Sequence, residues 1–208
     1  INQVNDIYRK DGFIFSYFYL PEQDITDGVV TVNVVEGRIE NVLIDSSVRY
    51  PAALTNYANK IKSIYPFNIS IFEQTVLKMN NMAGAQFQTV LRQPKNKSPG
   101  GIDIAIIEKT EDMPAIISVN NYGSQYAGPW QVNANTSWNN VLTPYDEVEM
   151  NFSAAYPLKE VKFAGVNYKA SIPSFIGLSF RTGISWGNTK SGSDLEEFDL
   201  GGLSREAF

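Results

Sequence analysis

Four windows in the second half of the chain alternate polar and apolar side chains over 9–11 residues each. In WQVNANTSWNN, Trp130, Val132, Ala134, Thr136 and Trp138 share one face, while Gln131, Asn133, Asn135, Ser137 and Asn139 share the other. EVEMNFSAAY divides Val148, Met150, Phe152, Ala154 and Tyr156 from Glu147, Glu149, Asn151 and Ser153. AGVNYKASI and IGLSFRTGISW repeat the split, with Asn167, Lys169, Ser171, Ser179, Arg181 and Ser185 on the polar side. A period of two is the mark of an extended strand with unlike faces. Soluble strands usually stop at about 5–6 residues, whereas a tilted strand crossing an outer membrane needs about 9–11. Trp130, Trp138, Tyr156 and Trp186 fall near the ends of these windows, where the aromatic girdles of a membrane barrel lie. A shorter strand, Ala115–Asn121, precedes them, and Asn140–Asp146 and Pro173–Phe175 read as Pro-containing turns. The alternation alone leaves a soluble sandwich open, because it too needs one apolar face.

Composition removes most chemistry. The 208 residues contain no Cys and no His, which excludes disulfides, thiolate or imidazole metal sites and His-based acid–base catalysis. A net charge of −5 argues against binding nucleic acid through its phosphates. The two halves differ: residues 1–110 balance 11 basic against 11 acidic side chains, while 111–208 carry 6 against 11. No apolar run approaches the ~18 residues of a membrane helix. The chain opens at Ile1 without a signal peptide and is expected to be a piece of a longer protein.

The first half reads as helices and short strands. Ile1, Val4, Ile7 and Tyr8 lie at helical spacing, with Gly12 at a left-handed C-terminal cap. Strands are expected at Phe13–Leu20 and along Val30, Val32 and Val34, the valines facing a core. From Asn41 the pattern is strand, helix, helix, strand, strand. Leu54, Tyr57, Ala58, Ile61 and Ile64 mark the first helix. SIFE predicts a capping box between Ser70 and Glu73 at the start of the second, followed by Phe72, Val76, Met79 and Ala83. Strands Ala85–Leu91 and Gly101–Glu108 close the unit. Residues 1–37 look like the end of a preceding copy, although a single α+β domain without repeats fits the spacing equally well.

The stretch LPEQDITDGVVTVNVVEGRIENVLI, with Pro21, Gln23, Asp24, Gly28, Glu36 and Gly37, resembles the polypeptide-transport-associated (POTRA) signature of two-partner secretion transporters, in the Omp85 superfamily. These positions look structural: Gly28 and Gly37 permit turns and Pro21 fixes a strand end. Asp24 and Asp27 lack the ligand spacing of a calcium loop. NNVLTPYDEVEM and YKASIPSFIGLSF resemble early barrel strands of the same family. The fold class expected is therefore α+β POTRA, of β-α-α-β-β order, followed by antiparallel transmembrane β-barrel strands of an incomplete barrel. The divisions are 1–37 (end of a first POTRA domain), 38–110 (a second) and 111–208 (barrel strands). About five strands are readable, too few to close a membrane barrel of at least about eight.

The resemblance implies an outer-membrane pore with periplasmic POTRA domains. It would bind an unfolded secreted partner as an extended segment and pass it across the membrane, without catalysis or cofactor. Outer-membrane lipid is the second expected partner, and the barrel is expected to be a monomer. β-Augmentation at an open sheet edge is the expected docking mode, with Gln86, Gln88 and Thr89 beside it. The final FDLGGLSREAF loosely resembles the family's lid-loop motif through Gly201, Gly202, Arg205 and Phe208. It reads equally as a sixth strand beginning at Phe198, and Asp194, Glu196, Glu197 and Asp199 read as a solvated loop. Two competing readings are an insertase of the same superfamily and a soluble β-rich binding module.

Overall fold

The computed structural model describes residues 2–25, 28–110, 115–123, 128–156, 161–190 and 201–207. They fall in two compact units. The first comprises Ile1–Asn81, Gln86–Lys109 and Pro173–Gly177. The second comprises Met82–Ala85, Thr110–Ile172 and Leu178–Phe208.

The first unit opens with helix α1, Asn2–Lys10. It stops where Gly12 turns to φ +91°, and Phe13 N–H returns to the Tyr8 carbonyl at 2.9 Å. Only Gly adopts this backbone without a steric cost, as its position predicts. Strands β1, Tyr17–Tyr19, and β2, Asn33–Val35, pair antiparallel, Tyr17 opposite Val35. Both are shorter than the alternation predicts. The valine row is not a core face either: Val30, Val32 and Val34 are about half exposed (51%, 49% and 48%). Helix α1 instead sets Tyr8 edge-on against Phe18, ring centroids 4.8 Å apart.

A layered unit follows, with strand β3 (Arg38–Ile44), a 3₁₀ turn (Pro51–Leu54), helices α2 (Thr55–Lys62) and α3 (Ile69–Met79), and strands β4 (Ala85–Arg92) and β5 (Gly101–Thr110). The sheet order is β3-β5-β4, with β3 and β5 parallel: Ile39 faces Ile102, Val42 faces Ile104 and Ile44 faces Ile106. A parallel pair needs a crossover, and the helices supply it. They bury Leu54, Tyr57, Ile61, Phe72 and Met79 against Ile39, Phe87, Ile102, Ile104 and Ile106. Each large apolar side chain so buried contributes about 1.5–3 kcal/mol. The expected capping box is replaced. Helix α3 begins earlier, and Asn68 caps it, its Oδ1 accepting from Ser70 N–H at 3.0 Å and Ile71 N–H at 3.4 Å. Asn68 also donates to the Asp11 carbonyl at 3.0 Å, a tie to the α1 end that no helical pattern reveals.

The second unit is a six-stranded antiparallel meander, ordered β11-β10-β9-β8-β7-β6. The strands are β6 (Ile116–Asn120), β7 (Trp130–Asn139), β8 (Asp146–Tyr156), β9 (Val161–Ser171), β10 (Ser179–Lys190) and β11 (Gly201–Ala207). The register places like on like. One face carries the row Ala134, Phe152, Ala164, Trp186 and the row Thr136, Met150, Val166, Ile184. The other carries Ser137, Glu149, Asn167 and Glu147, Lys169, Arg181. The Pro173 turn pushes the start of β10 from the expected Ile176 to Ser179, because Ile172 N–H bonds the Leu178 carbonyl and Gly177 turns at φ +79°.

Gly201–Ala207 form a strand, one of the two states the sequence left open for this stretch. Gly201, Gly202 and Arg205 lie in β11, opposite Lys190, Thr189 and Trp186. Phe208, Phe198 and the acidic residues Asp194, Glu196, Glu197 and Asp199 lie outside the described residues, as does Asp27.

Candidate functional site

β4 is an outer strand of its sheet. Along a strand, successive residues turn their backbone N–H and C=O to opposite sides. At Phe87 this pair meets the Asn80 side chain: Phe87 N–H donates to Asn80 Oδ1 at 2.6 Å, and Asn80 Nδ2 donates to the Phe87 carbonyl at 3.1 Å. The α3 C-cap residue thus occupies one strand position beside the outer edge. By the two-residue period, Thr89 and Leu91 present their main-chain pairs to the same side. Gln86 and Gln88 are exposed, and Thr89 is half-buried on the opposite face. The three predicted residues are therefore contiguous on β4 but divided. Thr89 offers backbone at the edge, and the glutamines offer side chains on the solvent face. Asn80 escaped the sequence reading; its only signal was an Asn directly after the last helical apolar residue, Met79.

The same device recurs in the first unit. Asn5 pairs with Phe18, whose N–H donates to Asn5 Oδ1 at 2.7 Å while its carbonyl accepts from Nδ2 at 3.2 Å. Gln23 treats Thr31 likewise, at 2.7 and 2.8 Å. An amide reproduces the donor–acceptor pair of a neighbouring strand, so it blunts an edge without polar strain. Gln23 of the signature is thus a backbone brace. The other signature positions also act on structure. Gly37 N–H donates to the buried Ser16 Oγ at 2.9 Å, and a Cβ there would come within 2.8 Å of Phe15 Cβ. Glu36 accepts from Tyr65 Oη at 2.6 Å, which raises the Tyr65 phenol above its ordinary range. Gly28 turns at φ +69°, Pro21 is half-buried and Asp24 is exposed.

In the second unit the two faces differ in exposure as well as chemistry. Trp138, Phe152, Ile184 and Ile117 are 48%, 47%, 65% and 72% exposed, whereas Asn133, Glu149, Asn151, Ser153 and Lys169 are half-buried. Polar groups on that face bond one another: Ser153 Oγ donates to Asn133 Oδ1 at 2.7 Å and Asn167 Nδ2 to Glu149 Oε2 at 3.3 Å. A soluble sheet hides its apolar face; this one presents it, as a barrel wall does to lipid.

The turn between β7 and β8 is tied by one carboxylate. Asp146, fully buried, accepts from the N–H groups of Val141, Leu142 and Thr143 at 2.6, 2.8 and 2.6 Å and from Tyr168 Oη at 2.9 Å. Asn140 and Tyr145 both take φ +59°, and Tyr145 N–H donates to Asn140 Oδ1 at 2.9 Å. The Asn140–Asp146 turn read from the sequence is therefore closed by its first and last side chains.

An α+β unit with an outer strand, joined in sequence to a wall of long antiparallel strands, gives the fold class: POTRA-type α+β followed by the antiparallel strands of an unclosed barrel. Comparison with known proteins agrees. Residues 1–37 match the family described as POTRA domain, ShlB-type. The heme/hemopexin transporter protein HuxB of Haemophilus influenzae (strain 86-028NP) is 24% identical over 191 residues, covering 88% of this chain and 32% of that protein. The solved structure of CdiB from Escherichia coli superposes with a TM-score of 0.70 at 19% identity, over 99% of this chain and 37% of that one. BamA from Haemophilus ducreyi, in a form lacking POTRA domains 1–3, gives a TM-score of 0.52 at 13% identity over 91% of this chain. The chain thus spans about a third of the length of the relative HuxB. The similarity to two-partner secretion transporters and the POTRA-plus-barrel fold class stand on these matches.

Proposed function

We propose that this chain is part of an outer-membrane transporter of the two-partner secretion type, which captures an unfolded secreted protein in the periplasm and passes it through its barrel. The observation that carries this reading is the inverted exposure of the six-stranded sheet, apolar face out and polar face half-buried. A soluble β-rich module would cover the apolar face instead, and a pore needs the polar face wet. Under this reading 1–37 and 38–110 are the end of one POTRA domain and a second, 111–208 begins a monomeric barrel, and the protein has no catalytic step. The match of residues 1–37 to the POTRA family and the β3-α2-α3-β4-β5 order support the divisions. The relatives' names, which describe transporters, support the function.

Recognition runs along β4. An extended partner segment adds as a strand beside Thr89 and Leu91, and Gln86 and Gln88 contact its side chains. Thr89→Pro tests this, since Pro is tolerated on an edge whose N–H makes no sheet bond. Partner binding by the full-length protein, measured by titration, is expected to weaken about tenfold or more, the loss of roughly one to two main-chain hydrogen bonds at ~0.5–1.5 kcal/mol each. Gln88→Ala is expected to change it less. Unaltered binding by a folded Thr89→Pro protein overturns the docking edge.

A further inference from the structure

We infer that the lipid-facing side of β9, β10 and β11 holds a lipid with an anionic, phosphate-bearing headgroup, through Lys162, Lys190 and Arg205. This rests on the barrel reading above and adds a site to it. Arg205 appeared in the sequence as a lid-loop residue. In β11 it stands opposite Trp186, hence on the apolar face with Ala164 and Phe152. Lys162 stands opposite Ala154 and Asn188 on the same face, and Lys190 lies two residues beyond Asn188 on β10. Lys169, Arg181, Glu147, Glu149 and Glu206 all take the opposite parity, on the polar face. The apolar face of the described strands therefore carries three cations, Lys162 and Lys190 toward the β8–β9 and β10–β11 connections and Arg205 one same-face row further in, level with Trp186 and Phe152. Its one carboxylate, Asp146, is consumed by the turn at the other end.

An Arg or Lys on a barrel's lipid face costs about 2–4 kcal/mol at the midplane and about 0–1 at the interface. Lys162 and Lys190, on adjacent strands toward the end that carries Trp130 and Tyr156, mark a headgroup level, and Arg205 on the next strand reaches it from one row inside, with an anion to meet them. None makes an ion pair within the described residues, and all three side chains are exposed. With strands ~4.8 Å apart and ~3.3 Å per residue, the Cα atom of Lys162 lies about 8 Å from that of Lys190 and about 12 Å from that of Arg205, and those of Lys190 and Arg205 are about 14 Å apart. Long flexible stems bring such charges to one headgroup by snorkelling.

The surface beside the cluster fits a chain rather than a free ion. An apolar concavity of about 530 Å³ is floored by Ala134, Ala164 and Val166 and walled by Phe152, Ile184 and Trp186. A second, of about 420 Å³, continues from Ile184 and Trp186 past Arg205 to Ala207. Arg205 and the acyl groove thus meet at Trp186, with Lys162 and Lys190 one to two same-face rows beyond, and a phosphate-bearing lipid is the ligand that uses both.

The test refolds the full-length protein into phosphatidylcholine vesicles containing a minor share of phosphatidylglycerol, then counts the lipids retained on the detergent-extracted protein by native mass spectrometry. Phosphatidylglycerol is expected to be enriched over its bulk share and to fall about fivefold for each of Lys162→Gln, Lys190→Gln and Arg205→Gln. Lys169→Gln, on the polar face, is expected to leave the enrichment unchanged. These substitutions remove charge from a lipid surface, so folding persists. A folded triple variant with undiminished enrichment overturns the site. So does equal retention of inorganic phosphate without lipid preference. A protein that conducts in vesicles yet shows no enrichment sinks this inference alone; one that enters no vesicle sinks the barrel with it.

Discussion

Asp146 shows how one side chain can decide a turn. Its carboxylate satisfies three backbone donors and the Tyr168 hydroxyl in a fully buried position. Removing it strands those donors at about 1–3 kcal/mol each, moderated by whatever water enters. Asp146→Ala is accordingly expected to cost about 3 kcal/mol or more, and Tyr168→Phe about 1, in urea titrations of the lipid-refolded protein. Equal small losses in both variants would mean that the turn holds itself. Gly37 poses the opposite case, where any side chain is too many. Gly37→Ala drives a Cβ to 2.8 Å from Phe15 Cβ, and overpacking of this kind costs about 1–3 kcal/mol. A melting temperature for the variant within error of the parent would show that the Phe15 segment yields freely.

At the scale of elements, the layered 38–110 segment has its own helices, sheet and core. It is expected to melt cooperatively when expressed alone, less stably than in the chain because it loses the bond from the Asn68 side-chain amide to the Asp11 carbonyl and the main-chain bond from Phe67 N–H to the Gly37 carbonyl. A broad, non-cooperative transition would move the boundary. Within it, Ser98 Oγ and then Arg38 hydrogen-bond Glu40 and hold its carboxyl below the ordinary value of 4.5. A depressed carboxylate stabilises the fold at pH above its unfolded value, and that contribution fades as pH falls through the folded value. The melting temperatures of the parent segment and Glu40→Gln should therefore differ at neutral pH and converge in acid. A constant gap would contradict this. These elements were legible where apolar periodicity dominated, as in Leu54, Tyr57, Ile61, Phe72 and Met79. They were misread where a local cap competed: Asn68 outranked Ser70 because its Oδ1 reaches two helical N–H groups while its amide binds Asp11.

Across the whole molecule, neighbouring residues on one strand should behave as if in different solvents. Phe152 lies on the exposed apolar face and Ser153 on the polar face, bonded to Asn133. Phe152→Arg is expected to lose about 2–4 kcal/mol of folding in lipid vesicles if it lies near the midplane, whereas Ser153→Arg is expected to fold and to alter single-channel current. Folding of the full-length protein without lipid or detergent, or folding without conductance, would refute the pore.

The period-two windows determined the long strands and which residues share a face, because in a meander each strand pairs with its neighbour in sequence and a one-residue slip would invert every side chain. The glycine positions determined where turns fall at Gly12 and Gly28. Tertiary structure alone decided the rest. It decided that the valine row from Val30 to Val34 stays exposed, since burial depends on what lies above a face and no local pattern encodes that. It decided that Gly201–Ala207 is a strand, because a sequence compatible with loop or strand takes its state from the free edge of β10 beside it. It also decided that Asn5, Gln23 and Asn80 brace backbone groups 13, 8 and 7 residues away, contacts that depend on where the chain returns in space.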